Sequence, residues 1–296
     1  MPIGSREEWS GGWRKGCREP WRAGLQVIGK SAIPGLAAAS GGTMTVMIHL
    51  ISTTDAARIG WLPQFVNHYR ALGVDEFHLS IHFETGTSKD CIIEATARAE
   101  QLLDDCGVPL TAVLVCPFDA MATRAHHDLV QAQVSRPDDW NVWADIDEFQ
   151  VWPDDLKSLV RYASCHEQVF FRGEMIDRIS EDGSLPVFDP QKPIWSQFPR
   201  KCHLTRDVAK GLTQKIACSL APLKLNPGNH FVIDDSLLNP NANVIEISHF
   251  KWDASVVMRL QRRLLPDFRE RCPWWTESKN LLEHIEKCDG AVAPPL

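Results

Sequence analysis

Apolar segments alternate with amphipathic segments between residues 44 and 146. Residues 44–52 form a nearly continuous run of apolar and β-branched residues, which is typical of a strand buried on both faces. From Trp61 to Leu72 the apolar residues recur at helical spacing, and Gly73 provides a stop signal. The alternation continues with strands predicted at 77–83, 110–116 and 140–146 and with helices at 92–106, capped by Asp90, and 121–134. This rhythm predicts βαβ units around a parallel sheet.

The pattern loosens after Phe149. Short strands are predicted at 169–171, 215–218, 230–233 and 244–247, followed by helices at 252–265 and 277–287. Loops that contain Pro and Gly separate these segments. We therefore expect an α/β fold with a Rossmann-like, mainly parallel sheet flanked by helices in residues 44–150. An irregular half of mixed strands and closing helices follows in residues 151–296 of the same domain.

Residues 1–43 differ in character from the rest. Residues 1–42 carry six Lys and Arg against three Glu and show no periodicity, so we predict a disordered or spurious leader, with Met44 as the functional start. Residues 24–31 match the phosphate-binding pattern G-x-x-x-x-G-K-[ST]. No strand precedes them, and Pro34 falls in the first turn of the helix that this motif requires. We interpret the match as coincidental.

The charge balance and the cysteines limit the classes of function. Lys and Arg number 31 against 38 Asp and Glu, a formal net charge of −7, so no nucleic-acid partner is expected. No uninterrupted apolar run reaches about 18 residues, so no membrane-spanning helix is predicted. The nine cysteines form no C-x-x-C pair, and we interpret them as reduced thiols. The expected location is the cytoplasm.

Two acidic residues follow the fourth predicted strand. Residues i and i+2 of an extended segment share a face, so Asp145 and Asp147 are expected to project together at the carboxyl end of that strand. Ligands of open α/β sheets bind at such ends. Adjacent carboxylates suit a hard cation such as Mg²⁺ or Mn²⁺. The alternative is that these acids cap a helix or solvate the end of the strand.

Several segments together resemble a known family. They are WLPQFVNHYRALGVDEFH at 61–78, WADIDEF at 143–149, FRGEMIDR at 171–178, PGNH at 227–230 and SHFKW at 248–252. The chain resembles family-2-like bacterial glycosyltransferases with a GT-A fold over residues 44–265. Jointly these motifs are fairly specific, whereas each alone is not. The resemblance makes 44–150 the half that binds a nucleotide-sugar and 151–296 the half that binds the acceptor.

The resemblance implies a metal-dependent enzyme. A sugar would pass from a nucleoside-diphosphate-sugar donor to a glycan or lipid-linked acceptor, with inversion expected and Mn²⁺ or Mg²⁺ as cofactor. By this resemblance, Asp145 contacts the donor, while Asp147 and His249 ligate the cation. Glu84 and Asp55 stand where relatives place other donor-binding residues, so they are expected to bind the donor while its identity cannot be carried over.

The remaining roles are assigned within the resembling segments. Inverting transfer needs a carboxylate base, and Asp177 is the candidate; an ion pair between Asp177 and Arg178 that fixes a loop is the structural alternative. Arg178, Lys215 and His230 are predicted contacts to acceptor or phosphate. For His249, packing among aromatic residues is the alternative to ligation. The rival bases are Glu174, Asp182, Asp234 and Asp235.

Two other functions remain open at this point. A D-x-D phosphohydrolase is one, although the dehalogenase-type motif D-x-D-x-[TV] follows the first strand and here Phe149 holds its last position. A non-catalytic relative that binds carbohydrate or nucleotide-sugar is the other, because Glu84 departs from the family pattern. The basic cluster Arg259, Arg262 and Arg263 is predicted as a solvated face, with peripheral docking to a membrane surface as the alternative.

Overall fold

The computed structural model describes residues 26–27, 46–221, 223–233, 244–272 and 274–292. The strands are β1 (Gln26–Val27), β2 (Ile48–Asp55), β3 (Glu76–Phe83), β4 (Leu110–Val115), β5 (Trp140–Trp143), β6 (Glu148–Val151), β7 (Phe170–Ile179), β8 (Arg200–Cys202), β9 (Gln214–Leu220) and β10 (Val244–His249). The helices are α1 (Leu62–Ala71), α2 (Lys89–Asp104), α3 (Ala120–Val134), α4 (Leu156–Cys165), α5 (Ile194–Gln197), α6 (Val256–Arg262), α7 (Pro266–Arg271) and α8 (Trp275–Lys287). A 3₁₀ helix at Ala56–Trp61 and a π-helical turn at Thr205–Ala209 complete the regular elements of the described residues.

The first half is a parallel sheet with helical crossovers. Its strands lie in the order β4-β3-β2-β5, and all three neighbouring pairs are parallel. The order runs outward from β2 in both directions, so the gap between the carboxyl ends of β2 and β5 is a topological switch point. Open α/β sheets bind their ligands at such a point. The predicted α/β class is confirmed, and a strand lies at each of the four predicted places of this half, although the fourth ends earlier than predicted.

The second half extends the same sheet. Strand β9 lies antiparallel between β5 and β7, and β10 lies between β7 and β6. Strand β10 is parallel to β7 and antiparallel to β6. The short strands β8 and β1 pair with β7 and β4, respectively. Because β10 ends between β6 and β7, its last residue has a partner on each side.

Large apolar side chains form three buried clusters around the sheet. On one face, Phe65 and Tyr69 of α1 pack against Phe149 and other core residues, as the helical spacing of the sequence predicts. A second cluster forms where the closing helices α6 and α8 pack on the end of β7, around Ile179 and Trp252. Among the described residues, no helix combines the length and the apolar character needed to cross a bilayer.

Several predicted elements differ from the observed ones. The fourth strand ends at Trp143, and residues 144–147 leave the extended path, so Asp145 and Asp147 are not alternating strand residues. Ser88, rather than Asp90, caps α2, because its side chain accepts a hydrogen bond from the Cys91 N–H at 3.2 Å. The predicted helix 252–265 is shorter and begins at Val256.

Other differences concern the second half and the amino-terminal segment. Strands β6 and β8 and helix α4 were not predicted, and 230–233 contributes a single antiparallel bridge, Leu225 to Val232, rather than a strand. The leader and the motif at 24–31 lie outside the described residues, apart from the two residues of β1. The prediction of a leader stays a prediction.

Candidate active site

Charged side chains gather at the switch point of the sheet. Strand β2 ends at Asp55, whose carboxylate accepts the Arg58 N–H at 3.1 Å and so begins the 3₁₀ helix. This short helix brings Arg58 across the end of the sheet, where its Nη1 donates to Asp147 Oδ2 at 2.5 Å. Both side chains of this ion pair are buried. Arg58 is therefore a member of the site that the sequence analysis missed.

The residues after β5 form a turn, and the two aspartates in it differ in solvent exposure. The Glu148 N–H donates to the Asp145 carbonyl at 2.9 Å, and this closes the turn. The Asp145 side chain is 54% exposed, whereas that of Asp147 is 7% exposed. The predicted shared face is therefore wrong: Asp145 opens toward solvent while Asp147 lies in a buried cluster. The physical reason is the turn, which replaces strand alternation with a change of chain direction.

His249 links two buried aspartates because of its position in the sheet. Its register partners are Glu148 on β6 and Asp177 on β7. The His249 Nδ1–H donates to Asp177 Oδ1 at 3.1 Å, and Nε2 lies 3.6 Å from Asp147 Oδ2. Burial acts to lower the pKa of His249, but the two carboxylates outweigh it and raise the pKa above its usual value. Burial likewise acts to raise the pKa of Asp147, yet Arg58 and His249 hold that pKa well below its usual range.

Asp177 is enclosed and fully hydrogen-bonded. Its Oδ1 accepts from Thr205 Oγ1 at 2.8 Å, from Trp252 Nε1 at 3.0 Å and from His249, while Oδ2 accepts the Thr205 N–H at 2.6 Å. Burial opposes ionisation, but the hydrogen bond from His249 and the charge of Lys251 lower the pKa of Asp177 to about 2. The prediction of Asp177 as catalytic base is not supported, because no acceptor hydroxyl can reach a carboxylate that four donors already surround. The geometry instead makes Asp177 the residue that orients His249.

Two of the four rival bases, Glu174 and Asp182, accept hydrogen bonds from nearby residues of the fold. Glu174 Oε1 accepts from Thr213 Oγ1 at 2.6 Å, and Asp182 Oδ1 accepts from Ser180 Oγ at 3.0 Å and from the Ser184 N–H at 2.9 Å. Both carboxylates therefore hold local structure. The other two rivals, residues 234 and 235, lie outside the described residues.

Lys215 forms a second buried ion cluster beside the first. Its Nζ donates to Asp145 Oδ2 at 2.9 Å and to Glu148 Oε1 at 2.5 Å. Burial acts to lower the pKa of Lys215, but these two carboxylates outweigh it and raise the pKa. Burial raises the pKa of Glu148 to about 7, and Lys215 offsets only part of that rise. Lys215 thus fixes Asp145 at the edge of the site, and Glu148 is a further site residue that the sequence analysis missed.

Arg178 and His230 occupy different surroundings. The buried Arg178 donates from Nε to Ser248 Oγ at 3.1 Å and from Nη1 to the Pro199 carbonyl at 3.1 Å, and it pairs with Glu246. These contacts use its donors for structure, so its predicted role as a contact to acceptor or phosphate is not supported. His230 donates from Nδ1 to the Gln214 carbonyl at 2.7 Å beside Lys215; burial, followed by the charge of Lys215, lowers its pKa to about 4. His230 is therefore neutral and lies next to the site.

A cleft of about 450 Å³ opens between the ends of β2 and β3 and helix α6, and Ala57 and Ile59, the chain neighbours of Arg58, line part of it. Asp55 and Glu84 both line it, as do Arg259 and Arg262. Glu84 Oε1 accepts the Phe118 N–H at 3.1 Å and pairs with Arg262 Nη2 at 2.6 Å. Two of the three residues predicted to bind the donor, Asp55 and Glu84, thus share one cleft, whereas Asp145 does not line it. Arg262 forms part of the cleft wall rather than a wholly solvated face, which corrects that prediction.

The donor set beside Asp147 suits a divalent cation in type. Asp147 Oδ2 and His249 Nε2 face each other across 3.6 Å, and carboxylate oxygen with imidazole nitrogen is a common ligand pair for Mn²⁺. Within the part of the chain that the structure describes, no third His, Cys, Asp or Glu places a ligand atom within 4.8 Å of both. Arg58 is bonded to the same Oδ2 atom, so a cation would have to displace the guanidinium from it. Water and substrate phosphate usually supply the remaining ligands at such sites.

Comparisons with known proteins add little to this geometry. No family model matches the chain, and no curated protein matches it. Among solved structures the chain is similar to one titled "Crystal structure of S. aureus TarS 1-349". The similarity covers 81% of this chain and 72% of that chain at 10% sequence identity, with a TM-score of 0.32. A likeness of this extent carries no conclusion about function.

Proposed function

We propose that the protein is a metal-dependent glycosyltransferase that uses a nucleoside-diphosphate-sugar. The observation that carries the proposal is the convergence of Asp147 and His249 at the switch point of the β4-β3-β2-β5 sheet. Asp55 lines a cleft together with Glu84, and it caps the short helix whose Arg58 bonds to Asp147. The parallel half-sheet flanked by helices supports the proposal, because the sequence resemblance implies a Rossmann-like sheet of this kind.

The size and lining of the cleft support binding of the nucleotide part of the donor there. Its volume of about 450 Å³ falls in the range of small-molecule sites. Asp55 and Glu84 offer carboxylate oxygens that can accept from ribose hydroxyl or base N–H groups, and Arg259 and Arg262 offer donors to phosphate. Nucleotide and diphosphate would thus lie along the cleft, with the sugar toward the exposed Asp145.

The residues around Asp147 support a site for leaving-group chemistry. Asp147 and His249 would hold the cation, for which Mn²⁺ suits the imidazole ligand better than Mg²⁺, and the bound cation would neutralise the charge that develops on the departing diphosphate. Asp177 fixes the orientation of the His249 ring through the hydrogen bond at Nδ1, which keeps Nε2 toward Asp147. Lys215 holds Asp145 in place from beneath. The acceptor, a glycan or a lipid-linked glycan, would approach from the solvent side of Asp145.

The test is a product assay on the full chain. We expect incubation with Mn²⁺ and a panel of UDP- and GDP-sugars to release free nucleoside diphosphate slowly, even without acceptor. Asp147→Asn should abolish the release, while Asp104→Asn, a matched change at an exposed helix position, should leave it unchanged. Release of inorganic phosphate would instead identify a phosphohydrolase. Binding of a nucleotide-sugar without turnover would identify a non-catalytic relative, and either result would refute the proposal.

A further inference from the structure

A cluster of side chains that can ligate a metal lies at the opposite end of the strands from the candidate active site, where β2 and β3 begin. His49 on β2 is the register partner of Glu76 on β3, and His78 follows Glu76 by two residues. Residues i and i+2 of a strand share a face, so the register brings all three side chains to one face. The candidate active site lies at the other ends of these strands, and its residues take no part in this cluster.

The spacing of the three ligand atoms matches a tetrahedral metal site. His49 Nδ1 and His78 Nε2 are 3.1 Å apart, and Glu76 Oε2 lies 3.4 Å from the first and 3.7 Å from the second. A circle through these three atoms has a radius of about 2.0 Å. That radius is close to the Zn–N and Zn–O bond lengths of about 2.0–2.2 Å. An ion just above the plane of the three atoms would therefore reach all of them without movement of the backbone.

A carboxylate behind His49 supplies the usual support for a metal-bound imidazole. His49 Nε2 lies 3.5 Å from Asp139 Oδ2, so the ring presents Nδ1 to the cluster and its other nitrogen to an acid. The Asp139 carboxylate is itself fixed by the Met47 N–H at 3.0 Å and the Arg136 N–H at 2.8 Å. This carboxylate–histidine arrangement orients the ring before any ion arrives.

The exposure of the three side chains leaves room for a solvent ligand. The His49 side chain is 3% exposed, His78 is 13% exposed and Glu76 is 52% exposed, so the cluster opens to water on the glutamate side. Two imidazoles with one carboxylate favour zinc over magnesium or calcium, which prefer an all-oxygen set. We propose that His49, Glu76 and His78 bind one Zn²⁺ ion, with water as the fourth ligand. The ion joins the beginnings of the two central strands.

Zinc titration of the metal-stripped full chain, in competition with a chromophoric chelator, tests the proposal. We expect one tight site per chain, and Co²⁺ in its place should give the intense visible absorption of tetrahedral cobalt. Glu76→Gln should weaken Zn²⁺ binding at least about tenfold, and His78→Gln should weaken it further. Glu100→Gln, a matched change at an exposed helical glutamate, should have no effect.

Two controls separate this site from the candidate active site and from a simple histidine pair. Asp147→Asn should keep the tight zinc site, because that residue lies at the other end of the strands. If Glu76→Gln binds Zn²⁺ as tightly as the unmodified chain, or if Asp147→Asn removes the tight site, the proposal is overturned. Glu76 is exposed, so its substitution tests binding without disturbing the fold. In either of those cases the contact between His49 and His78 is only a hydrogen bond.

Discussion

Replacing Arg58 with Gln tests how Asp147 is held. The Arg58–Asp147 ion pair is buried on both sides, and the Arg58 guanidinium also lies 5.6 Å from the centre of the Trp61 ring. Gln keeps much of the length of the side chain but removes its charge. Asp147 is then left as a buried carboxylate that still faces His249 Nε2 at 3.6 Å but has lost its guanidinium partner.

The expected loss of stability is large. Breaking a buried ion pair by removing one partner costs about 3–5 kcal/mol, because an uncompensated charge stays in the interior. In a domain of this size that loss corresponds to a fall in Tm of about 6–20 °C. Thermal and urea unfolding, measured without divalent cations, would report it. Arg58→Lys keeps the charge and should lose less.

Manganese should stabilise the Arg58→Gln variant more than the unmodified chain, because the guanidinium no longer competes for Asp147 Oδ2. A ligand at about 100 times its Kd adds about 2.7 kcal/mol, so Mn²⁺ should restore much of the lost stability. In the double variant Arg58→Gln with Asp147→Asn, both the instability and the rescue by Mn²⁺ should largely disappear. A loss below about 1 kcal/mol, the range of exposed pairs, or an equal effect of Mn²⁺ on both chains would refute this reasoning.

Two further predictions concern buried side chains. Asp177→Asn should weaken Mn²⁺ binding about 10- to 100-fold, because His249 loses the carboxylate that orients it; calorimetric titration with unchanged affinity would contradict this. His126 and His127 are buried against Ser80 and Thr53, and burial lowers the pKa of His126 to about 4 and that of His127 to about 3. Between pH 6.5 and about 4 the unfolded chain binds protons that the folded chain does not. The free energy of unfolding should therefore decrease as the pH is lowered through this range, by about 3 kcal/mol for His126. His126→Gln should remove that share in urea unfolding across this pH range, and an unchanged pH slope would rule it out.

The regular half of the fold could be predicted from sequence because its signals are local. Strand β2 is a continuous apolar run, and α1 carries its apolar residues on one stripe that ends at Gly73, so each element is specified within its own segment. The second half depends on distant pairing. Strand β7 extends to ten residues because β8, β9 and β10 all pair with it, and no signal within β7 reports those partners.

The candidate site was predicted in part for the same reason. Asp147 and His249 were found through their motifs, and the structure brings them together. Arg58 was missed because its partner lies 89 residues away and only the sheet order between β2 and β5 joins them. Asp177 was assigned to catalysis because a sequence shows a carboxylate but not the four donors that surround it. The turn at Asp145 was missed because D-x-D fits an extended strand as well as a turn.

The arrangement around Asp147 connects cation binding with the availability of Arg58. Asp147 Oδ2 accepts a hydrogen bond from Arg58 and also faces His249 Nε2. The same buried oxygen is therefore bonded to a guanidinium and placed where it could ligate a metal together with His249. Neither Nε nor Nη2 of Arg58 has a hydrogen-bond partner among the described residues. If Arg58 were displaced from Asp147, its guanidinium would have no hydrogen-bond acceptor left in the described part of the chain and would be free to donate to a neighbouring anionic group. If the cleft holds a nucleotide as proposed, its phosphate would be that group, because Ala57 and Ile59 on either side of Arg58 line the cleft. A bound cation would release Arg58 from Asp147 for the phosphate, and a bound phosphate would keep Arg58 away from Asp147. Cation and nucleotide should therefore bind with positive cooperativity.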